Sequence, residues 1–322
     1  MGASWQRMVA YALLVAQGSC VGSTASAAHG APLVLPPAKA AAAPKTPAIA
    51  PLAKSPARPS TRAALIQTRF SYAGAKVQGG TLLGTAPAGT VGLVFNGVAI
   101  PVAPDGRFLI AFDRDAPGLA TLVATLENGQ QVADTLRVAE RGWNIEHLDT
   151  LPRFATPGEE FSRLRPLELA QIDAARRINP ASEGWRQQFL WPTLGRISGV
   201  FGAQRTYKNG EAGDYHSGTD IAQPAGAPVL APADGVVILA AAHPFTLEGN
   251  LLMIDHGMGL NSAFLHLSRI DVKPGEKVQR GQQIGAVGMT GRATGPHLHW
   301  SLKWRDSRID PSLIAGPMPL IR

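Results

Sequence analysis

Histidine is the residue type in this sequence whose number and spacing point most directly to chemistry. Eight histidines occur among 322 residues, and five of them lie in the last 80. Three patterns stand out: His216 four residues before Asp220, His266 between two leucines, and His297-Leu298-His299. Imidazole nitrogens and carboxylate oxygens are ligands of catalytic zinc, which keeps one coordination position open. The C-terminal third of the chain is therefore the candidate catalytic region.

The spacing of these residues allows them to share one site. Side chains two residues apart in a strand point to the same face, so His297 and His299 must present both rings to one side. His216 and Asp220 are also an even number of residues apart, and either an extended segment or a loop could turn both towards a metal. Two histidines and one carboxylate complete a catalytic zinc set and leave other histidines for proton transfer.

Each pattern taken alone also has a structural interpretation. A His-x-His pair on a strand is often two half-buried histidines, a histidine near an aspartate is an ordinary loop contact, and His266 could be a satisfied core residue. His256, in Asp255-His256-Gly257, is interpreted as the structural end of a strand. The remaining histidines have no partner pattern and are assigned no role: His29, His147 and His243.

Short phrases accompany the histidines in a fixed order between Trp191 and Pro311. They are Gly199-Val200-Phe201-Gly202, Pro232-Ala233-Asp234-Gly235, Asp255-His256-Gly257, Val272-Lys273-Pro274-Gly275, Gly281-Gln282-Gln283-Ile284-Gly285 and Gly295-Pro296. With the histidine patterns, this ordered set resembles the lysostaphin-type, LytM-domain family of zinc endopeptidases, which cleave peptide bridges in peptidoglycan. The resemblance covers about 120 residues and implies a C-terminal antiparallel β-sheet peptidase domain.

The resemblance also implies roles for five residues. One Zn²⁺ per chain would be held by His216, Asp220 and His299, while His266 and His297 would be the catalytic histidines. All five positions are filled, which argues against the degenerate family members that only bind or activate. The sequence departs from the family at Phe264, often Tyr, and at Trp300-Ser301, where an aromatic-Glu pair is more usual.

The rest of the chain divides by composition into four segments. Residues 1–27 have the charged start, apolar run and Ala-Ser-Ala ending of a signal peptide. Residues 28–62 hold 8 Pro and 11 Ala, which is typical of a linker. Residues 63–142 alternate short apolar runs with three turns, Asn96-Gly97, Asp105-Gly106 and Asn128-Gly129. Such turns are hairpin signals, and together they predict a small β-sandwich-like domain. Residues 143–186 form a predicted helical connector to the peptidase domain at 187–322, with near-helical apolar spacing after Pro166.

Charge and hydropathy limit the location and the partners of the protein. Six of its seven net positive charges lie in residues 1–62, so the remaining 260 residues are nearly neutral and do not resemble a nucleic-acid-binding domain. No later stretch is long and apolar enough for a stable membrane span. We therefore expect an exported protein. A periplasmic location is favoured over secretion and over a lipid anchor at Cys20.

The sequence favours an exported zinc metalloendopeptidase that hydrolyses the cross-links or stem peptides of peptidoglycan. The alternative is a catalytically silent envelope protein that binds peptidoglycan or activates another hydrolase, with an envelope protein partner at the N-terminal β-domain. A lipoyl or biotinyl carrier would need a lysine at the hairpin tip, and Ala286–Gly291 contain none. A cupin-like metal barrel would place a further histidine downstream, and none follows His299. No Gly-x-Ser-x-Gly elbow indicates a serine hydrolase.

Overall fold

The computed structural model describes residues 68–148 and 158–319. The predicted signal peptide, 1–27, and linker, 28–62, lie outside the described residues. The described part is mostly β-structure in antiparallel sheets, which confirms the predicted fold class. No helix among residues 68–148 and 158–319 is long and apolar enough to cross a membrane.

The N-terminal part is built from eight strands. They are β1 (Ser71–Gly74), β2 (Thr81–Thr85), β3 (Thr90–Phe95), β4 (Val98–Ile100), β5 (Arg107–Ala111), β6 (Leu119–Leu126), β7 (Gln131–Arg137) and β8 (Ile145–Leu148). Strands β1, β2 and β5 form one sheet, and β4, β3, β6 and β7 form a second. Buried side chains of both sheets, among them Phe108 and Leu122, share one core, as expected of a β-sandwich-like arrangement.

The three predicted hairpin turns have different geometries. Asn96 and Gly97 both have positive φ and join β3 to β4 as a two-residue hairpin. Gly129 alone has positive φ in the longer turn between β6 and β7. Gly106 joins β4 to β5, which belong to different sheets, so the prediction of a hairpin at Asp105-Gly106 is wrong. A turn with a single positive-φ glycine can redirect the chain without pairing its flanking strands.

One long helix follows, α1 (Glu159–Arg176). It begins before Pro166 and contains it, whereas the sequence placed the helical pattern after this proline. Five apolar residues carry the helical pattern after Pro166. Ile172 and Ala175 are buried, whereas Leu167, Ala170 and Ile178 are exposed, Leu167 by 62%. The difference arises because the buried stripe of α1 also includes two charged residues, Arg165 and Glu168.

The C-terminal part holds twelve strands and a short helix. They are β9 (Arg196–Gly199), β10 (Gln204–Tyr207), β11 (Thr219–Ala222), β12 (Pro228–Leu230), β13 (Gly235–Ala240), β14 (Asn250–Asp255), β15 (Leu260–Leu267), β16 (Arg269–Ile270), β17 (Lys277–Val278), β18 (Gln283–Ala286), β19 (His297–Trp304), β20 (Ser307–Ile309) and α2 (Pro311–Ala315). The main sheet has the order β17-β13-β14-β15-β19-β11-β9, with β20 paired to β19. Strands β12, β18 and β16 form a smaller sheet, and β8 pairs with β10.

Both faces of the main sheet are covered where its long strands meet. Phe264 and Trp300 are fully buried in the large core on one face. Ile172 of α1 packs with Met253 and Ala263 on the other face. Ala263 and Leu265 lie opposite Ser301 and His299, so the face under α1 continues towards His299. The packing therefore places α1 and the candidate site on the same face of the sheet.

Candidate metal centre

Two neighbouring strands place the first pair of predicted ligands. Strands β11 and β19 are antiparallel neighbours, and Asp220 lies directly opposite His299. Residues that face each other in such a pair point to the same side of the sheet. The Oδ1 atom of Asp220 is 2.8 Å from Nδ1 of His299. Strand register alone thus brings a carboxylate and an imidazole together.

The third predicted ligand comes from a loop. His216 precedes β11, and its Nε2 atom is 3.1 Å from Asp220 Oδ1 and 3.0 Å from His299 Nδ1. Its Nδ1 atom is 3.0 Å from the carbonyl oxygen of Val200. Because a carbonyl oxygen only accepts hydrogen bonds, Nδ1 carries the proton and Nε2 of the neutral ring keeps its lone pair for a metal.

These three residues fit a tetrahedral metal ion. Zinc bonds of roughly 2.0–2.1 Å place ligand atoms about 3.3 Å apart, and the three ligand atoms lie 2.8–3.1 Å apart. A Cβ atom at Gly199 would lie 2.3 Å from Asp220 Oδ2, and one at Gly218 would lie 2.7 Å from His299 Nε2. Two glycines therefore leave the space in which these ligands sit.

His297 joins the cluster through strand alternation. It precedes His299 by two residues on β19, and its Nε2 atom is 3.8 Å from Asp220 Oδ1. Its Nδ1 atom donates to the carbonyl of Gly295 at 2.8 Å, which leaves Nε2 as the lone-pair nitrogen of the neutral ring. The predicted sharing of one face by His297 and His299 is seen in the structure.

His266 reaches the same cluster only because β15 is irregular. Simple alternation would turn His266 away from the face that carries Leu265. A β-bulge sets Leu265 and His266 opposite the single residue Leu251, and His266 adopts a φ of 63°. Its ring then lies 4.9 Å from the ring of His297, and its Nδ1 atom donates to the Thr290 carbonyl at 2.9 Å.

The electrostatics of the cluster keep the carboxylate charged. Burial favours a neutral carboxyl at Asp220, but the adjacent imidazole rings of His216 and His299 stabilise its charged form when they carry a proton, and they lower its pKa well below the usual range. Burial opposes charge on His216, yet the hydrogen bond to Asp220 and its negative charge raise the pKa of this ring. Burial lowers the pKa of His299. Burial also lowers the pKa of His266 to about 4, so this ring is neutral at pH 7.

Residues outside the cluster have structural contacts. His256 is fully buried and hydrogen bonded to the Asp234 carbonyl and the Ser262 hydroxyl, which agrees with its structural interpretation. Phe264, which departs from the family pattern, and Trp300, which fills the aromatic position of that pattern, are buried in the core. The Trp300 ring packs edge to face on Trp191, at 5.7 Å between ring centroids. Both side chains therefore contribute to packing in the core and do not line the site.

Sequence reasoning did not single out the residues that orient the histidines. Val200 and Thr290 act through backbone carbonyls, which any residue type provides, so their identity carries no signal. Gly199 belongs to a phrase quoted for the resemblance, and Gly218 lies between His216 and Asp220. A glycine close to a predicted ligand in the sequence could have indicated that the backbone approaches the ligand side chains closely.

Known proteins resemble this chain mainly in its C-terminal part. The family model Peptidase_M23, described as peptidase family M23, matches residues 214–311. The peptidoglycan DD-endopeptidase ShyA of Vibrio cholerae is 48% identical over 123 residues, which are 38% of this chain and 28% of ShyA. ShyB, another peptidoglycan DD-endopeptidase of Vibrio cholerae, is 47% identical over 95 residues, which are 30% of this chain and 22% of ShyB. The match thus spans about a quarter of the length of these two relatives.

One solved structure resembles most of the chain. A crystal structure assigned to peptidase M23 from Pseudomonas aeruginosa matches with a TM-score of 0.56 and 30% identity. The match covers 75% of this chain and 95% of that one. It therefore extends well beyond residues 214–311.

Proposed function

The chain belongs to peptidase family M23, and on that premise we propose that it is a zinc-dependent endopeptidase that hydrolyses peptide bonds in the cross-links or stem peptides of peptidoglycan. The observation that carries the proposal is the convergence of His216, Asp220 and His299 within 3.1 Å of one another, with His266 and His297 beside them. The DD-endopeptidase names of two relatives support the substrate class.

The proposed ligand set has the donor chemistry of a catalytic zinc site. His216 would bind through Nε2, His299 through Nδ1 and Asp220 through Oδ1. When bound, zinc supplies Lewis-acid polarisation of a carbonyl and lowers the pKa of water. The Val200 carbonyl fixes the tautomer of His216, and the ionised Asp220 supplies negative charge towards the cation. The three residues hold one ion per chain.

His266 and His297 would handle the protons of the reaction. Each ring donates its Nδ1 proton to a backbone carbonyl, so each presents a lone pair at Nε2. A neutral imidazole accepts a proton from water, and the resulting imidazolium donates one to a developing oxyanion or to the leaving amine. The low pKa of His266 keeps this ring in the accepting form near pH 7.

The environment of the site fits a peptide substrate. Val200 is 48% exposed and Met289 is 52% exposed. Val200 accepts a hydrogen bond from His216, and Met289 precedes Thr290, which accepts one from His266. These apolar side chains would contact apolar parts of the bound peptide.

The proposal includes export to the periplasm, with residues 1–27 as the signal peptide and residues 28–62 as a linker. An envelope protein would bind at the N-terminal β-strands, residues 63–142. Exposed apolar side chains on this part, including Val91, Val98 and Leu119, support such a contact.

Digestion of cell-wall sacculi tests the proposed function. Purified residues 28–322 are incubated with peptidoglycan sacculi with and without a chelator, and released fragments are identified by mass spectrometry. The proposal predicts a loss of cross-linked peptides that the chelator prevents. The masses of the released fragments identify the peptide bond that is cleaved. Stoichiometric zinc without release of fragments would instead support the catalytically silent alternative.

A further inference from the structure

Helix α1 contributes a buried ion cluster at the face of the sheet that carries the candidate site. Arg165 donates from Nη1 and Nη2 to the two carboxylate oxygens of Glu248, at 2.6 and 2.8 Å. Arg165 also contacts Glu168 at 3.2 Å, and all three residues are less than 9% exposed. Arg165 and Glu168 lie outside residues 214–311, the range that the family model matches.

The cluster fixes the loop between β13 and β14. Glu168 accepts hydrogen bonds from both the backbone amide and the hydroxyl of Thr246, each at 2.6 Å. Phe245 and Gly249 exchange two backbone hydrogen bonds that close a tight turn around Glu248. Helix α1 therefore binds this turn through side-chain hydrogen bonds at two residues, Thr246 and Glu248.

The turn at residues 245–249 is hydrogen bonded to the backbone of His266. The carbonyl of Glu248 accepts the amide proton of His266 at 2.8 Å. Gly249 packs against Thr290, whose carbonyl accepts the Nδ1 proton of His266. The Thr290 hydroxyl also accepts from the Asn250 amide and donates to the Leu267 carbonyl.

His266 needs such support because its conformation is unfavourable. A left-handed φ in a residue other than glycine is unfavourable and persists only where surrounding contacts impose it. The β-bulge at Leu265 and His266 is what turns the ring into the site. Without the contacts between α1 and this turn, β15 would relax towards the regular alternation of side chains in a strand. The His266 side chain would then point away from His297.

We propose that Arg165 and Glu248 are positioning residues, which hold the bulge of β15 so that the His266 ring stays beside His297 and His299. Glu168 assists by fixing Thr246 of the same turn. The assignment of His266 to catalysis rests on the proposed function, whereas the placement of its ring does not. The two ideas are therefore separable by experiment.

The test removes the Arg165–Glu248 ion pair, while Glu168 keeps its two hydrogen bonds from Thr246. The double variant Arg165→Met/Glu248→Gln replaces both charged groups with neutral side chains of similar size. The control is Ile172→Ala, which weakens the apolar packing of the same helix. Ile172 belongs to a hydrophobic cluster that includes Phe245, but its substitution removes none of the hydrogen bonds to Thr246 or Glu248. Arg165→Lys keeps the charge but lacks the two-pronged contact, and it serves as a milder variant if the double variant does not fold.

Two readouts separate positioning from general destabilisation. On cross-linked peptidoglycan fragments, the double variant should lose kcat by about 10- to 100-fold, with KM and zinc content close to those of the parent. Ile172→Ala should lower the melting temperature with kcat largely retained. Nitrogen NMR of the histidine rings in the metal-free protein should show His266 losing its Nδ1 hydrogen bond to Thr290 in the double variant but not in Ile172→Ala.

Specific outcomes would overturn the inference. It is wrong if the double variant leaves the His266 ring signals unchanged, or if Ile172→Ala lowers kcat as much at an equal loss of stability. In Arg165→Lys, the His266 ring signals should shift in the same direction as in the double variant, by a smaller amount. Unchanged His266 signals in a folded Arg165→Lys protein would contradict the positioning role. Absence of hydrolysis by the parent protein would reject the proposed function, and the NMR comparison would then decide the positioning role by itself.

Discussion

Asp220 and His299 lie directly opposite each other on antiparallel strands, with 2.8 Å between Oδ1 and Nδ1, although 79 residues separate them in the chain. This register supplies two of the three predicted metal ligands from the rigid centre of a sheet. His216, from a loop, completes the set. Strand pairing therefore sets the relative position of two of the three proposed ligands.

Substitutions on β19 should separate metal binding from turnover. His299→Ala removes a proposed ligand and should lose zinc and activity together. His297→Ala should retain most of the zinc and lower kcat by about 100-fold or more, because it removes a proton-transfer group. Zinc is measured by elemental analysis and kcat on cross-linked fragments. Equal zinc loss in both variants would contradict the ligand assignment.

Gly199→Ala should weaken zinc binding although it alters no ligand. The new methyl group would lie 2.3 Å from Asp220 Oδ2, so the carboxylate must move. Zinc affinity, measured by competition with a chelating dye, should fall by about 10- to 100-fold, as for other residues that orient ligands. The matched control is Gly142→Ala, where nothing lies within 4 Å of the added atom. An equal effect of both substitutions would rule out the steric explanation.

Arg114→Met should affect both stability and the metal site. The Arg114 guanidinium donates to the Gly202 carbonyl from Nε and Nη2, at 3.1 Å each, and the Gly202 amide donates to the His216 carbonyl. Loss of a buried charged donor should cost about 2–4 kcal/mol of unfolding free energy and lower zinc affinity. Denaturant titration with and without zinc measures both effects.

The control for Arg114→Met is the same substitution at Arg137, which is exposed on β7. It should change neither unfolding free energy nor zinc affinity. Wild-type zinc affinity in a destabilised Arg114→Met protein would show that the N-terminal strands do not support His216.

His256 should make the protein less stable in mild acid. Burial lowers its pKa to about 4 from an unfolded value near 6.5, so the unfolded state binds more protons between these values. Its contribution is full above pH 6.5 and is lost as pH falls towards 4, by roughly 2 kcal/mol between pH 7 and pH 5. Asp255 acts in the opposite direction, because burial raises its pKa to about 6. Its contribution to the free energy of unfolding therefore increases as pH falls.

The His256 contribution is therefore read from a difference. Unfolding free energies of the parent and of His256→Asn are compared at pH 7 and pH 5, and the gap between them should narrow at pH 5. A constant gap for His256→Asn would mean that His256 titrates alike in the folded and unfolded states.

Local sequence patterns predicted part of this site because the relevant rules are local. Strand alternation places His297 and His299 on one face, and nothing distant is needed. Alternation gives the wrong side for His266, because the bulge that turns it depends on contacts with the turn at Glu248. The pairing of Asp220 with His299 depends on the register of strands far apart in sequence, which only the family resemblance could indicate.

Charged residues in α1 show the same limit. Apolar spacing predicted a helix there, and Ile172 and Ala175 are buried as expected. No sequence pattern singles out Arg165 or Glu168, because Glu248, the partner of Arg165, and Thr246, the partner of Glu168, each lie about 80 residues away in the chain. A buried ion pair is invisible to periodicity, since each partner alone resembles a solvated side chain.

Titration of zinc into the metal-free protein is the most direct test of the central claim. The rate of hydrolysis of a purified cross-linked peptidoglycan fragment is recorded as zinc is added in substoichiometric steps. We expect no hydrolysis without zinc, a linear rise, and a break at one zinc per chain that is absent in His299→Ala. Hydrolysis by the metal-free protein, or one bound zinc per chain without hydrolysis, would contradict the account.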